Sequence, residues 1–336
     1  MKICVVGAGA IGGLVAAKLS LTGHAITVVE QGAQLEAIRK NGLKLIWHDG
    51  SEYQAQVTRA CSSCEQAGQQ ELVILALKAH ILASVAPRIP ALFSSQTMVL
   101  TLQNGIPWWY FQRHGGPWDG HSLRTLDPDG ILARTIDARR IIGAVVYPAA
   151  AVSEPAVIQH VEGDRIPIGE LDGSTTDRIQ DLYEVLGEAG FRSRILADLR
   201  SEIWLKAWGN LSFNPISALT HATLVDICEF PETRKLATRM MSEARQIAEK
   251  LGIQFRHSIE KRIEGARSVG AHKTSMLQDV EVGRSLEVEA LMGVVLELGR
   301  LTDTPAPSIE SAYACVKLLN QTMLQQGVGV VLTAAG

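Results

Sequence analysis

The chain has 336 residues, 46% hydrophobic and 20% charged, which suits about two globular domains. High apolar content with a net charge of −3 excludes intrinsic disorder, and 32 basic against 35 acidic residues argue against a nucleic-acid-binding surface. Five cysteines in so long a chain make no disulfide framework and fit a reducing cytoplasm, and no apolar run reaches the ~20 residues of a membrane helix.

Residues 1–6 (MKICVV) read as a buried strand. The apolar start after Lys2 imitates a signal peptide, but glycines at 7, 9, 12 and 13 set it apart. GAGAIGG leads into a helical stretch ending at Gly23, residues 25–30 (AITVVE) form a second strand, and a helix over 33–42 closes at Gly42. Strands are expected in 43–50 and 53–60, on either side of the turn at Asp49-Gly50. Residues 71–77 (ELVILAL) and 96–102 (QTMVLTL) are apolar strands with a helix through the 80s between them. This alternation predicts a Rossmann-type α/β domain with a parallel, doubly wound sheet. Residues 112–130 are rich in Gly, Pro and Asp and predict a long loop, with Trp108, Trp109 and Trp118 in or near it. Strands are expected in 138–152 and 156–170, an amphipathic helix over 176–190, and a last strand over 192–198. Beyond residue 197 only helical spacing remains. The predicted division is therefore a dinucleotide-binding domain over 1–197 and an all-α substrate and dimerisation domain over 198–330.

Gly7-Ala8-Gly9-Ala10-Ile11-Gly12 is G-x-G-x-x-G between a strand and a helix, with Glu30 ending the next strand. Gly7 permits a tight turn, Gly9 lets a pyrophosphate approach, and Gly12 lets helix and strand pack closely. Ala10 and Ile11 open the helix, whose N-terminal amides suit phosphate oxygens. A carboxylate at Glu30 accepts hydrogen bonds from ribose hydroxyls and repels a 2′-phosphate, and Gln31 follows in place of an Arg. NADH is thus favoured over NADPH, unless Arg39 or Lys40 supplies the charge. FAD also fits a strand-end Glu.

Two polar residues stand where ligands lie, beyond the carboxyl ends of strands: Lys78 after LVILAL and Asn104 after TMVLTLQ. In the apolar segment 203–214, Lys206, Asn210 and Asn214 are spaced i, i+4, i+8 and share one helix face, turned either to water or into a polar cavity. A desolvated Lys has a lowered pKa and can serve as a general acid near pH 7. Ser275, Asp279 and Glu287 lie among apolar residues further on, and Glu287 and Glu289 face opposite ways, so only one can share a site. The single Cys61-x-x-Cys64 pair cannot complete a zinc site and reads as a surface helix start; the nine His show no metal-binding spacing, and no metal is predicted.

MKICVVGAGAIGG, LALK, QNGIP, IWLKAWGNLSFNPISALT, TSMLQD and LEVEALMG, in this order, resemble the ketopantoate reductases, the 2-dehydropantoate 2-reductase family, along nearly the whole chain. The resemblance implies an NADPH-binding N-terminal domain and a helical C-terminal one, reducing 2-dehydropantoate to pantoate in pantothenate biosynthesis. It implies Lys206 as the acid that protonates the C2 oxygen and Glu287 as the ligand of the substrate hydroxyl. Asn210 and Asn214 become substrate-positioning amides, Ser275 the hydroxyl that binds the carboxylate, and Asn104 and Lys78 contacts to the nicotinamide side and to substrate. It also suggests a cytoplasmic homodimer formed through the helical domain, acting on a small 2-keto acid. The sequence departs from the family at Gln31, at Met292 where many members have Asn, and in the long 112–130 loop. A related reductase of another small keto or hydroxy acid, or a dinucleotide sensor without turnover, are the other readings.

Overall fold

The alternating N-terminal pattern closes into a seven-stranded sheet. Its chain-order strands are β1 (Lys2–Val6), β2 (Ala25–Val29), β5 (Arg59–Cys61), β6 (Gln70–Leu75), β7 (Phe93–Thr101), β8 (Ile141–Ala144) and β11 (Ile168–Glu170). The spatial order is β11-β8-β7-β6-β1-β2-β5, parallel except for β11 against β8. After Lys2, all of β1 is buried, as are Leu72–Leu75 of β6, which explains why both read as unbroken apolar runs. The chain leaves β1 towards β2 on one side and later pairs β6 on the other, so the connection reverses beside β1, the kind of point at which open α/β sheets bind ligands.

A second sheet, ordered β4-β3-β10-β9, contains β3 (Leu43–Ile46), β4 (Glu52–Ala55), β9 (Ala149–Glu154) and β10 (Val157–Glu162). The helix Ala10–Leu21 packs against both sheets. Gly13 makes that possible, since a Cβ there would stand 2.6 Å from Ile158 Cδ1. This second sheet was not foreseen, and it splits two expected strands. Residues 53–60 divide between β4 and β5, in different sheets; residues 138–152 divide between β8 and β9, with Pro148, which has no N–H to donate, between them. The last strand, expected over 192–198, is reduced to two isolated bridges, Arg165↔Arg192 and Ile168↔Ile195. Pro167 in the facing segment interrupts the ladder.

Residues 112–130 form neither helix nor strand, but the chain enters them firmly anchored. Trp109, Tyr110 and Phe111 are fully buried, and Trp109 Nε1 donates to Thr101 Oγ1 at 3.0 Å. Cys61 and Cys64 are not at the surface: both thiols are buried, and burial pushes Cys64 up to about 11, keeping it an unreactive thiol.

From Leu199 onward the regular elements among the described residues are all helical: Leu199–Thr220, Leu224–Glu229, Pro231–Lys250, Ile259–Ser268, Ser275–Glu281, a π-turn at Glu289–Gly293, Val294–Leu301 and Pro307–Gln326. Trp204 and Trp208 are core residues of the first, and Trp208 Nε1 donates to Met241 O at 2.7 Å. No described helix is long and apolar enough to cross a membrane. The computed structural model describes residues 1–332 and divides into two units. One comprises Met1–Gln103 and Trp108–Leu199; the other comprises Asn104–Pro107 and the chain from Arg200 onward.

Candidate active site

The glycine loop is built as its spacing demands. Gly7 has φ +91°, and its N–H donates to Val29 O at 2.9 Å. A Cβ on Gly12 would stand 1.8 Å from the Gly7 carbonyl oxygen, so helix and loop touch there through backbone alone. Gly9 differs: a Cβ there would meet nothing within 4 Å. The chain's own packing does not require glycine at this position, whereas a phosphate resting on the loop does. The first helical bond runs from Gly13 N–H to Gly9 O at 2.7 Å, so the amides of Ala10, Ile11 and Gly12 precede the helical ladder. These features fit a dinucleotide pyrophosphate.

Glu30 turns back onto this loop. Oε2 accepts from Ala8 N–H at 2.6 Å and Oε1 from Gln31 N–H at 2.9 Å. Each carboxylate oxygen has a second lone pair for a ribose hydroxyl. Gln31 is exposed before the helix Gly32–Asn41. Arg39 is committed elsewhere, with Nη1 on Glu36 at 2.9 Å and Nε donating to Ala60 O at 3.1 Å. Lys78 stands directly before the helix Ala79–Val85, beyond the carboxyl end of β6.

In the helical unit, three of the expected residues meet. Lys206 Nζ donates to Asn104 Oδ1 at 2.7 Å, and Asn104 Nδ2 donates to Glu287 Oε2 at 3.4 Å. An ammonium only donates and a carboxylate only accepts, so the amide between them uses both its ends. Burial pushes the Lys206 ammonium down to about 8, against the opposing pull of the Glu287 carboxylate. A lysine so poised is still mostly protonated at neutral pH yet releases its proton readily.

Asn210 and Asn214 continue the same face of the helix Leu199–Thr220, and Asn214 is almost wholly buried. Lys206 and Asn210, on the same face, are half-buried. Ser275 is exposed at the first turn of the helix Ser275–Glu281, capped by Thr274. Glu289 faces away from Glu287, on Tyr313 Oη at 3.0 Å. Met292 is fully buried within the π-turn. Sequence reasoning used Asn104 but missed its two followers. Gly105 has φ +80° and a Cβ there would stand 2.0 Å from Ala290 O, while Ile106 N–H donates to that same oxygen at 3.0 Å. A glycine directly after the polar residue was the available signal.

A glycine loop shaped for a phosphate on a mostly parallel sheet, and in the helical unit a desolvated lysine held by an amide and a carboxylate, are what a dinucleotide-dependent oxidoreductase requires. The comparisons narrow the class. The family model "Ketopantoate reductase PanE/ApbA" matches residues 3–173, and its C-terminal companion matches residues 198–320. A 2-dehydropantoate 2-reductase of Mesorhizobium japonicum is 50% identical over 320 residues, covering 95% of this chain and 98% of that one. The chain belongs to the ketopantoate reductase family, NAD(P)-dependent oxidoreductases. A Ralstonia solanacearum structure assigned to the ketopantoate reductases superposes with a TM-score of 0.92 at 37% identity, covering 97% of this chain and 99% of that one. D-mandelate dehydrogenase, solved with NADH and anilino(oxo)acetate, shares the fold at a TM-score of 0.82 and 19% identity, over 96% of this chain and 99% of that one.

Proposed function

We propose that the protein reduces 2-dehydropantoate to pantoate, a step of pantothenate biosynthesis in the cytoplasm. The observation that carries this is the Lys206–Asn104–Glu287 chain of hydrogen bonds, with its lysine brought to about 8. A bound nicotinamide dinucleotide supplies the hydride to the keto carbon. Lys206 donates the proton to the C2 oxygen, which leaves a hydroxyl and a neutral amine that takes its proton back from water. Glu287 accepts from the substrate hydroxyl, Asn210 and Asn214 orient the substrate, and the Ser275 hydroxyl receives its carboxylate. Asn104 fixes the direction of the Lys206 ammonium.

Residues 1–197 act as the dinucleotide domain through Gly7, Gly9, Ala10, Ile11, Gly12, Glu30, Gln31 and Lys78, with Asn104 contacting the nicotinamide side. Residues 198–330 act as the substrate domain, and the exposed Leu318 and Leu324 on its helix Pro307–Gln326 suit a homodimer. NADH is the preferred cofactor. Glu30 carries a negative charge beside the loop, Gln31 brings none to oppose it, and Arg39 is tied to Glu36. The test is a steady-state assay with 2-dehydropantoate and both cofactors, beside a panel of other 2-keto acids. Highest kcat/KM for 2-dehydropantoate with NADH supports the reading; turnover only of another acid refutes the substrate, and a strong NADPH preference refutes the cofactor.

A further inference from the structure

We propose that Glu289, Tyr313 and Lys317 are positioning residues that hold Asn104 in place by locking the π-turn Glu289–Gly293. The proposal rests on the reading of Lys206, Asn104 and Glu287 as the reacting cluster.

The turn follows Glu287 by two residues. At its end Val294 N–H bonds to Glu289 O, five residues back, and not to Ala290 O, four residues back. Ala290 O is thereby released from the α-helical ladder, and it accepts Ile106 N–H at 3.0 Å. Gly105 lies against the same oxygen, so closely that no side chain fits. The two residues after Asn104 are thus fastened to the π-turn, while the Asn104 side chain reaches Lys206 and Glu287. Both ends of the Asn104–Glu287 bond depend on one irregular turn. An uninterrupted α-helix would give Val294 N–H to Ala290 O and compete with Ile106 for it.

The Glu289 side chain, at the first residue of the turn, is held from the helix Pro307–Gln326. Tyr313 Oη lies 3.0 Å from each of its carboxylate oxygens. Lys317 Nζ lies 2.8 Å from Glu289 Oε1 and 2.6 Å from Tyr313 Oη. Tyr313 and Lys317 are one helical turn apart and present a single fork to the carboxylate. Glu289 and Lys317 are 38% and 55% exposed, and ion pairs so placed add little to global stability. Misplacing a reacting group by about 1 Å, in contrast, costs up to about 100-fold in rate. Effect on position and effect on stability are therefore separable.

The experiment compares Tyr313→Phe and Glu289→Gln with the wild-type full chain. It reads melting temperature, exchange of the Ile106 amide by hydrogen–deuterium exchange without substrate, and kcat, KM and the basic pH limb with 2-dehydropantoate. The expected result is an unchanged melting temperature and Ile106 exchange faster by about 10-fold, with kcat lower by about 10-fold and an unchanged KM for the dinucleotide. The basic limb moves to lower pH, because Lys206 loses an acceptor that favours its charged form. Glu289→Asp, which keeps the charge, recovers part of kcat. Wild-type Ile106 exchange and kcat in both variants overturn the proposal. So does a lowered melting temperature with intact kinetics, or loss of folding in both. Ile106 exchange needs no turnover, so failure of the lock is distinct from a wild-type enzyme inactive on 2-dehydropantoate.

Discussion

Replacing Glu287 by Gln removes a charge that opposes the desolvation of Lys206 while keeping the shape of the site. Lys206 Nζ is 2.7 Å from Asn104 Oδ1, and Asn104 Nδ2 is 3.4 Å from Glu287 Oε2. With about 2.2 Å across the amide, the two charges are at most about 8 Å apart. At an effective dielectric constant of about 20 their attraction is about 2 kcal/mol, or about 1.5 pH units. Salt and partial exposure reduce this, so the expected displacement is about 0.5–1.5 pH units. The carboxylate favours the ammonium, so its removal lowers the Lys206 pKa below about 8. The protonated acid is then lost at lower pH, and the basic limb of kcat/KM moves down. The assay is kcat/KM for 2-dehydropantoate between about pH 6 and 10, followed by nicotinamide absorbance, which reports groups of the free enzyme. A limb that stays near 8 or moves upward would refute the assignment of that limb to a Lys206 paired with Glu287.

Lys206→Ala should lower kcat by about 10²–10⁴-fold with dinucleotide binding intact; near-normal turnover would remove it as the acid. Gly9→Ala should fold with a wild-type melting temperature yet bind dinucleotide about 10–100-fold more weakly, because only the ligand occupies the space above it. Gly12→Ala, with its Cβ 1.8 Å from Gly7 O, should instead lose stability; calorimetry beside titration with NADH separates the two, and equal melting temperatures would contradict the packing argument. Gln31→Arg should raise kcat/KM for NADPH relative to NADH by about tenfold or more, and an unchanged ratio would mean that this position does not face the 2′ oxygen.

What the sequence revealed was whatever its local spacing determines. The i, i+4, i+8 interval puts Lys206, Asn210 and Asn214 on one helix face whatever surrounds the helix, and G-x-G-x-x-G after an apolar strand fixes a loop whose Gly12 admits no Cβ. Residues 53–60 read as one strand because their polarity alternates, yet β4 and β5 belong to two sheets, a choice made by partners far along the chain. Asn104 shows the same limit at the site itself. Its neighbours in sequence end β7, but Asn104–Pro107 is part of the helical unit, tied there by Ile106 N–H on Ala290 O across more than 180 residues. No periodicity announces that bond, because it exists only where a helix departs from its own period. Glu287 and Glu289 were separable as opposite helix faces, and the structure gives them different partners. The π-turn leaves the Ala290 carbonyl to Ile106, and the Glu289 side chain at its first residue is held by Tyr313 and Lys317. Regular spacing therefore singled out Lys206, which the structure joins to Asn104 and Glu287, and an irregularity that spacing cannot foresee ties the neighbour of Asn104 to the turn beside Glu287.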